Sequence, residues 1–262
     1  MMFKDKSKNF PLLNSIVVTV LFLILGELVA VFALPTPINE FLLLVVYSSL
    51  AYFFIKKIDR QSLDGLELNI SRKSFRGFCI SLVFTSFIIV VATISSRMLF
   101  HDEIIKLRGT VNFITVSITL ILFFIESFIK QGFPEELIFR GYMVQTLRIK
   151  YNNFHTMCLS VALFTLMHAI HIFMDGLNYG ILTMFYAFSF ACLAYLLKSI
   201  FKTTWAAVAV HGGVHMTRMV LMLFGFSETN NAILLQGILL FVASLLVFFK
   251  VKNSIFGINN GG

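Results

Sequence analysis

The sequence predicts an all-α, polytopic membrane protein of about eight transmembrane helices, and three observations carry that prediction. Apolar residues fill 58% of the 262 positions, charged residues only 13%, and the mean hydropathy is +0.88. A water-soluble globule needs roughly a quarter of its residues charged to cover its surface. Eight stretches reach the roughly 20 apolar residues that cross a hydrocarbon core. The basic residues gather in short clusters between those stretches, as a multispanning chain arranges them to fix its orientation. Composition thus excludes a soluble enzyme, a disordered chain and a disulfide scaffold. The net charge of +8 reads as membrane orientation, and no nucleic-acid partner is expected.

The eight stretches are about 12–34, 37–55, 77–96, 111–133, 154–173, 177–200, 203–225 and 231–251. Lys4, Lys6 and Lys8 precede the first, as in a signal peptide. No small-residue cleavage site follows, and Glu27 interrupts the run, so it is expected to be retained as a span. Cys79, Cys158 and Cys192 each lie in an apolar run and are expected to be small buried hydrophobes. The residue 56–76 connection carries Lys56, Lys57, Arg60, Arg72, Lys73 and Arg76. Arg148 and Lys150 follow span 4, Lys198 and Lys202 flank the 6–7 turn, and Lys250 and Lys252 close span 8. The 1–2, 5–6 and 7–8 loops contain no Lys or Arg; the 3–4 region dissents, with Arg97, Lys106 and Arg108 beside Asp102 and Glu103. The positive-inside rule then puts both termini on the cytoplasmic side of a cell membrane. Residues 1–262 are expected to form one integral membrane domain, without internal repeats.

Ionisable side chains at membrane depth are costly and therefore mark function. The densest group is Pro134-Glu135-Glu136-Leu137-Ile138-Phe139-Arg140-Gly141. Pro134 is expected to break one helix and begin another, with both carboxylates in the new first turn, where the dipole favours them. Glu136 and Arg140 are four apart and can pair. Glu135 lies roughly 100° around the helix, without an in-helix cation. One carboxylate is tied, and its neighbour is free for chemistry. His168 and Glu135 lie about 16 residues either side of a turn near residues 150–153, which puts them at similar depth on antiparallel helices. His211 and His215 share a helix face, and Gly212 and Gly213 between them allow another helix to approach closely. Glu135, His168 and His211 also form a plausible zinc set. His171 is expected to play only a hydrogen-bonding role, Glu126 to pair with Lys130, and Arg218 to answer Glu27 or reach an interface. One difficulty stands. His211 lies roughly 13 Å from its turn and Glu135 and His168 about 25 Å from theirs, at 1.5 Å per residue. The depths agree only if residues 141–160 project beyond the membrane.

With these residues in place, the chain resembles the CPBP family (CAAX proteases and bacteriocin-processing enzymes, also called Abi). The motif E-E-x-x-x-R appears as Glu135 to Arg140, F-x-x-x-H as Phe164 to His168, and a variant of H-x-x-x-N as His211 to His215, preceded by Trp205-Ala206-Ala207. Position 215 is His where the family usually has Asn; both side chains donate hydrogen bonds. The similarity spans about residues 115–225, the expected catalytic core. It implies an intramembrane endopeptidase with a cavity open to the cytoplasmic side, acting on a membrane-associated peptide or protein. Glu135 would be the general base, His168 would position the water, and His211 and His215 would stabilise the oxyanion. Glu136 and Arg140 would support the motif helix. Zinc as a water activator stays open, with the ligand argument leaning against a tightly bound ion. Composition rich in Phe, Ile, Lys and Asn suits a bacterial chain and a bacteriocin-related substrate or self-immunity, while CAAX processing is the eukaryotic pattern. The rival readings are a non-catalytic immunity or scaffold protein and, more weakly, a transporter.

Overall fold

The computed structural model describes residues 10–32, 34–101 and 112–257. It contains eight helices long and apolar enough to cross a membrane: α1 (Pro11–Val31), α2 (Ile38–Ile58), α3 (Arg72–Phe100), α4 (Phe113–Leu147), α5 (Asn153–Met174), α6 (Leu177–Phe201), α7 (Thr204–Leu223) and α8 (Asn230–Phe256). No strand occurs among the described residues. Lys4, Lys6 and Lys8, and the acidic and basic residues of the α3–α4 connection, lie outside the described residues.

Side chains of the sequence set most helix starts. Ser71, Asn112, Asn152, Thr203 and Thr229 each accept a backbone N–H from the first turn that follows, replacing water as partner for donors no helix can satisfy. Pro11 opens α1, where its missing N–H costs nothing. His101 and Lys202 end α3 and α6 in the left-handed region, at φ of 56° and 52°.

Helix α3 shows how this bundle inverts the pattern of a soluble protein. Its buried face carries Ser74, Gly77, Ser81, Thr85 and Ala92, while Val83, Phe87, Ile94 and Met98 are exposed. Lipid is as apolar as Leu, so helices associate through small residues that let backbones approach. Helix α7 lies along α3, and α8 along α6. A close crossing joins α4 and α7. A Cβ built on Gly132 would stand 3.0 Å from the Gly212 nitrogen and 2.9 Å from the Ser127 carbonyl. Backbone cannot yield as a side chain does. Gly132→Ala is therefore expected to lower stability by about 1–3 kcal/mol, the usual cost of overpacking, read as a lower Tm in detergent.

Three sequence expectations need correction. Pro134 does not end a helix: α4 runs on for 35 residues. Its backbone widens into π-helical turns at Ile125–Gly132 and again at Leu137–Tyr142. Wider turns accommodate a residue that lacks N–H and would crowd the preceding turn. Cys158 is exposed and Cys79 half-buried, so only Cys192 is the buried hydrophobe expected; in lipid an apolar residue gains nothing by facing inward. Arg218 pairs with Glu228, not Glu27, and its guanidinium lies 5.0 Å from the Tyr186 ring.

The segment between α2 and α3 wraps the end of α4. Thr146 donates to Asp59 at 3.0 Å, Gln145 to the Ser62 carbonyl at 2.8 Å, and Glu67 meets both Lys198 and Arg148. This sheath resolves much of the depth conflict. His211 contacts Glu136, not a deeper residue; from that contact α4 continues eleven residues to Leu147, and α7 begins seven residues earlier, at Thr204. The overshoot is about one turn, and polar side chains of residues 59–67 cover it.

Candidate active site

Glu135 and Glu136 lie in a single α-helical turn of α4 between its two π segments. His168 interrupts α5: its N–H and that of Ala169 bond three residues back, to Thr165 and Leu166, before the helix resumes at Ile170. Irregular backbone at membrane depth is tolerated where it is enclosed by protein or lines a cavity. Both irregularities flank one cavity of about 620 Å³, lined by Glu135, His168, His211 and His215. Three helices thus deliver the four residues singled out by the sequence to one space.

Beneath it lies a layer without solvent. Arg140 and Glu136 are fully buried and joined at 3.0 Å; Arg140 also donates to the Ala191 carbonyl at 3.1 Å and lies 4.5 Å from the Phe164 ring. The same Glu136 oxygen accepts from His211 Nδ1 at 3.0 Å. The expectation that Glu136 is claimed by Arg140 alone is therefore incomplete: it also orients His211. Phe190 packs against the His211 ring at 4.9 Å, and Phe164 against Phe190 at 5.3 Å. His168 Nδ1 meets the Phe164 carbonyl at 2.9 Å. A carbonyl only accepts, so Nδ1 carries the proton, and Nε2 of the neutral ring keeps its lone pair for the cavity.

Glu135 differs from its neighbour in lining the cavity with a side chain 15% exposed. Its Oε2 stands 3.9 Å from His211 Nε2. His215 stacks beside His211 with ring centroids 5.2 Å apart. Glu126 pairs with Lys130 at 2.6 Å, as expected, and Lys130 also faces the buried Glu40 at 4.0 Å. His171 Nδ1 donates to the Asp175 carboxylate at 2.7 Å. Helices α1 and α2, generic on sequence, supply a wall of the cavity through Phe22, Glu27, Leu43 and Tyr47. The signal for them was faint: one Glu and one Tyr within apolar spans, with Tyr47 stacked on Phe22 at 3.9 Å.

A zinc ion would find some of what it needs. Metal-bound His rings are held at their other nitrogen by a carboxylate or carbonyl, and His211 and His168 are so held. The donors nonetheless do not close on a point. Tetrahedral ligands at zinc distances stand about 3.3 Å apart, and among the described residues no three His, Cys, Asp or Glu side chains gather closely enough to hold an ion. The residues as placed do not fit the ion.

The cavity lining also reaches Glu27 near the end of α1, Met174 and Tyr179 at the α5–α6 turn, and Glu228 between α7 and α8. Ile138, Phe139, Tyr142, Met143 and Leu193, around the Glu136–Arg140 pair, are fully buried.

No curated protein matches the chain. One family model does, over residues 116–217, described as Type II CAAX prenyl endopeptidase Rce1-like; it takes in all three motifs. Residues 116–217, holding Glu135, His168, His211 and His215, are thus similar to the Rce1-like family.

Proposed function

We propose that this protein is an intramembrane endopeptidase that hydrolyses a membrane-associated peptide or protein with Glu135 as general base. The observation that carries the reading is the division of labour between adjacent carboxylates. Glu136 is fully buried between Arg140 and His211, while Glu135 keeps a 15% exposed side chain that lines the cavity beside His211. Glu135 takes a proton from water as the water oxygen attacks the scissile carbonyl carbon, with His168 Nε2 accepting the second hydrogen bond of that water. The tetrahedral oxyanion is held by a hydrogen bond from His215, beside a His211 ring that Glu136 fixes at Nδ1. Collapse breaks the C–N bond, and Glu135 returns the proton to the leaving nitrogen. Each proton and electron pair is accounted for by these side chains, and no step requires a metal.

The matched description concerns prenyl endopeptidases; a bacteriocin-related role, expected from composition, draws no support from it. The reading is tested with protein reconstituted in vesicles and a membrane-anchored, internally quenched peptide, with and without a farnesyl group. Cleavage is expected to persist after exhaustive chelation. His215→Asn is expected to retain activity within about tenfold, since Asn replaces one donor with another. Loss of cleavage on chelation, restored by zinc, would overturn the metal-free mechanism; inactivity of His215→Asn with intact folding would remove His215 as a simple hydrogen-bond donor.

A further inference from the structure

We propose that Glu27 determines specificity by binding a cationic nitrogen of the substrate, a Lys or Arg side chain or a free α-amino group near the scissile bond. The proposal gives the endopeptidase reading a substrate class, basic peptides, and rests on that reading for the word substrate.

Glu27 interrupts the apolar span α1, and an ionisable residue within a span marks function by default. Its side chain is exposed and lines the cavity. Among the described residues it has no ion-pair or hydrogen-bond partner. The other charges of the lining are answered within the protein. Arg218 pairs with Glu228, and Lys130 meets Glu126 at 2.6 Å and Glu40 at 4.0 Å. His211 is held by Glu136, whose counter-ion is Arg140, and His171 by Asp175. Both lysine and arginine cations of the lining are thus taken. Glu27 and Glu135 remain, and Glu135 is committed to the water.

Aromatic packing sets Glu27 at the level of the chemistry. The Phe22 ring lies 6.0 Å from the Phe139 ring, which ties α1 to the motif helix α4. As first and fourth spans these two helices run antiparallel. From the Phe22–Phe139 contact, Glu27 lies five residues forward along α1 and Glu135 four residues back along α4. Those steps are about 7.5 Å and about 6 Å in the same direction, at 1.5 Å per residue. The two carboxylates therefore stand at similar depth around one cavity. Tyr47 fixes the backbone that carries Glu27: its ring stacks on Phe22 at 3.9 Å, and a Cβ on Gly26 would stand 2.4 Å from its hydroxyl oxygen.

A carboxylate with little water around it attracts a cation far more strongly than one in bulk water. The same charge repels an acidic segment, so Glu27 selects in both directions.

The test uses full-length protein in vesicles of zwitterionic lipid, whose neutral surface does not itself concentrate cations. The probes are membrane-anchored, internally quenched peptides that differ only in Lys, norleucine or Glu at one position, walked along the sequence. Each is made N-acetylated and with a free amine. Wild type is expected to favour Lys over norleucine at one position by at least about tenfold in kcat/KM, the effect of one hydrogen bond to a charged group, and to do so through KM. A preference for the free amine without one for Lys would assign the cation to the α-amino group and uphold the proposal. Glu27→Gln is expected to bring the cationic-to-neutral ratio to about one, and Glu27→Lys to favour the Glu peptide; Tm in detergent verifies folding, and either variant alone reads the ratio. A wild-type ratio near one in every peptide, or a wild-type ratio kept by Glu27→Gln, overturns the proposal and leaves the protease reading intact. Should no peptide be cleaved, the same peptides carrying a fluorophore are titrated into wild type and Glu27→Gln. Lys-dependent binding that the variant loses would remove the protease reading and keep Glu27 as the cation-binding residue. Binding indifferent to charge, or none, would overturn the proposal as well.

Discussion

Glu136→Ala is expected to deplete the protein from the membrane as well as to abolish its activity. The substitution strands Arg140, which has no solvent exposure and keeps only the Ala191 carbonyl and the Phe164 ring. Removing one partner of a buried ion pair costs about 3–5 kcal/mol, because the remaining charge stays desolvated. A marginally stable protein has about 5–15 kcal/mol in all, so most of the margin is lost. His211 Nδ1 loses its acceptor at the same time, which frees the ring to turn. Glu136→Gln separates the effects: the amide oxygen can still accept one of the two hydrogen bonds, so abundance is expected to recover further than activity. Quantitative immunoblotting of membranes, paired with Tm in detergent, checks both. Wild-type abundance for Glu136→Ala would contradict its placement at the centre of the buried layer.

The opposite signature is expected one residue earlier. Glu135→Gln preserves shape and removes a charge whose Oε2 has no hydrogen-bond partner to lose. Abundance and Tm are therefore expected to match wild type. Peptide cleavage is expected to fall by about 10²–10⁴, the contribution of a positioned general base. A scaffold or immunity protein that sequesters a peptide would tolerate the exchange. Adjacent carboxylates with opposite phenotypes, one structural and one chemical, are what the shared Glu136 oxygen and the cavity-lining position of Glu135 require together.

The number of spans was legible because apolar length is a local property: eight runs of about 20 residues give eight helices. The site was legible for a related reason. Ionisable residues are so rare in lipid that Glu135, His168, His211 and His215 stood out singly, and helix spacing already set Glu136 beside Arg140. Partners brought together by tertiary packing were not legible. The second partner of Glu136 is His211, 75 positions away, and Arg218 answers Glu228 across the α7–α8 turn. Pro134 misled because local propensity treats proline as a stop, whereas flanking π turns carry α4 past it. Phe22 and Tyr47 were invisible as cavity residues, since an aromatic in a span gives no sign of whether it faces lipid, core or a cavity.

Hydrolysis by water at Glu135 is tested most directly in vesicles prepared in ¹⁸O-labelled water, with the quenched membrane-anchored peptide as probe and wild type compared with Glu135→Gln at equal protein. Mass spectrometry of the fragments reports the new carboxyl terminus. Wild type is expected to yield one defined cleavage with ¹⁸O in that terminus, and Glu135→Gln to yield at most about a hundredth as much product. Cleavage by Glu135→Gln at the wild-type rate would contradict the assignment of Glu135 as the base and return the site to a different chemistry.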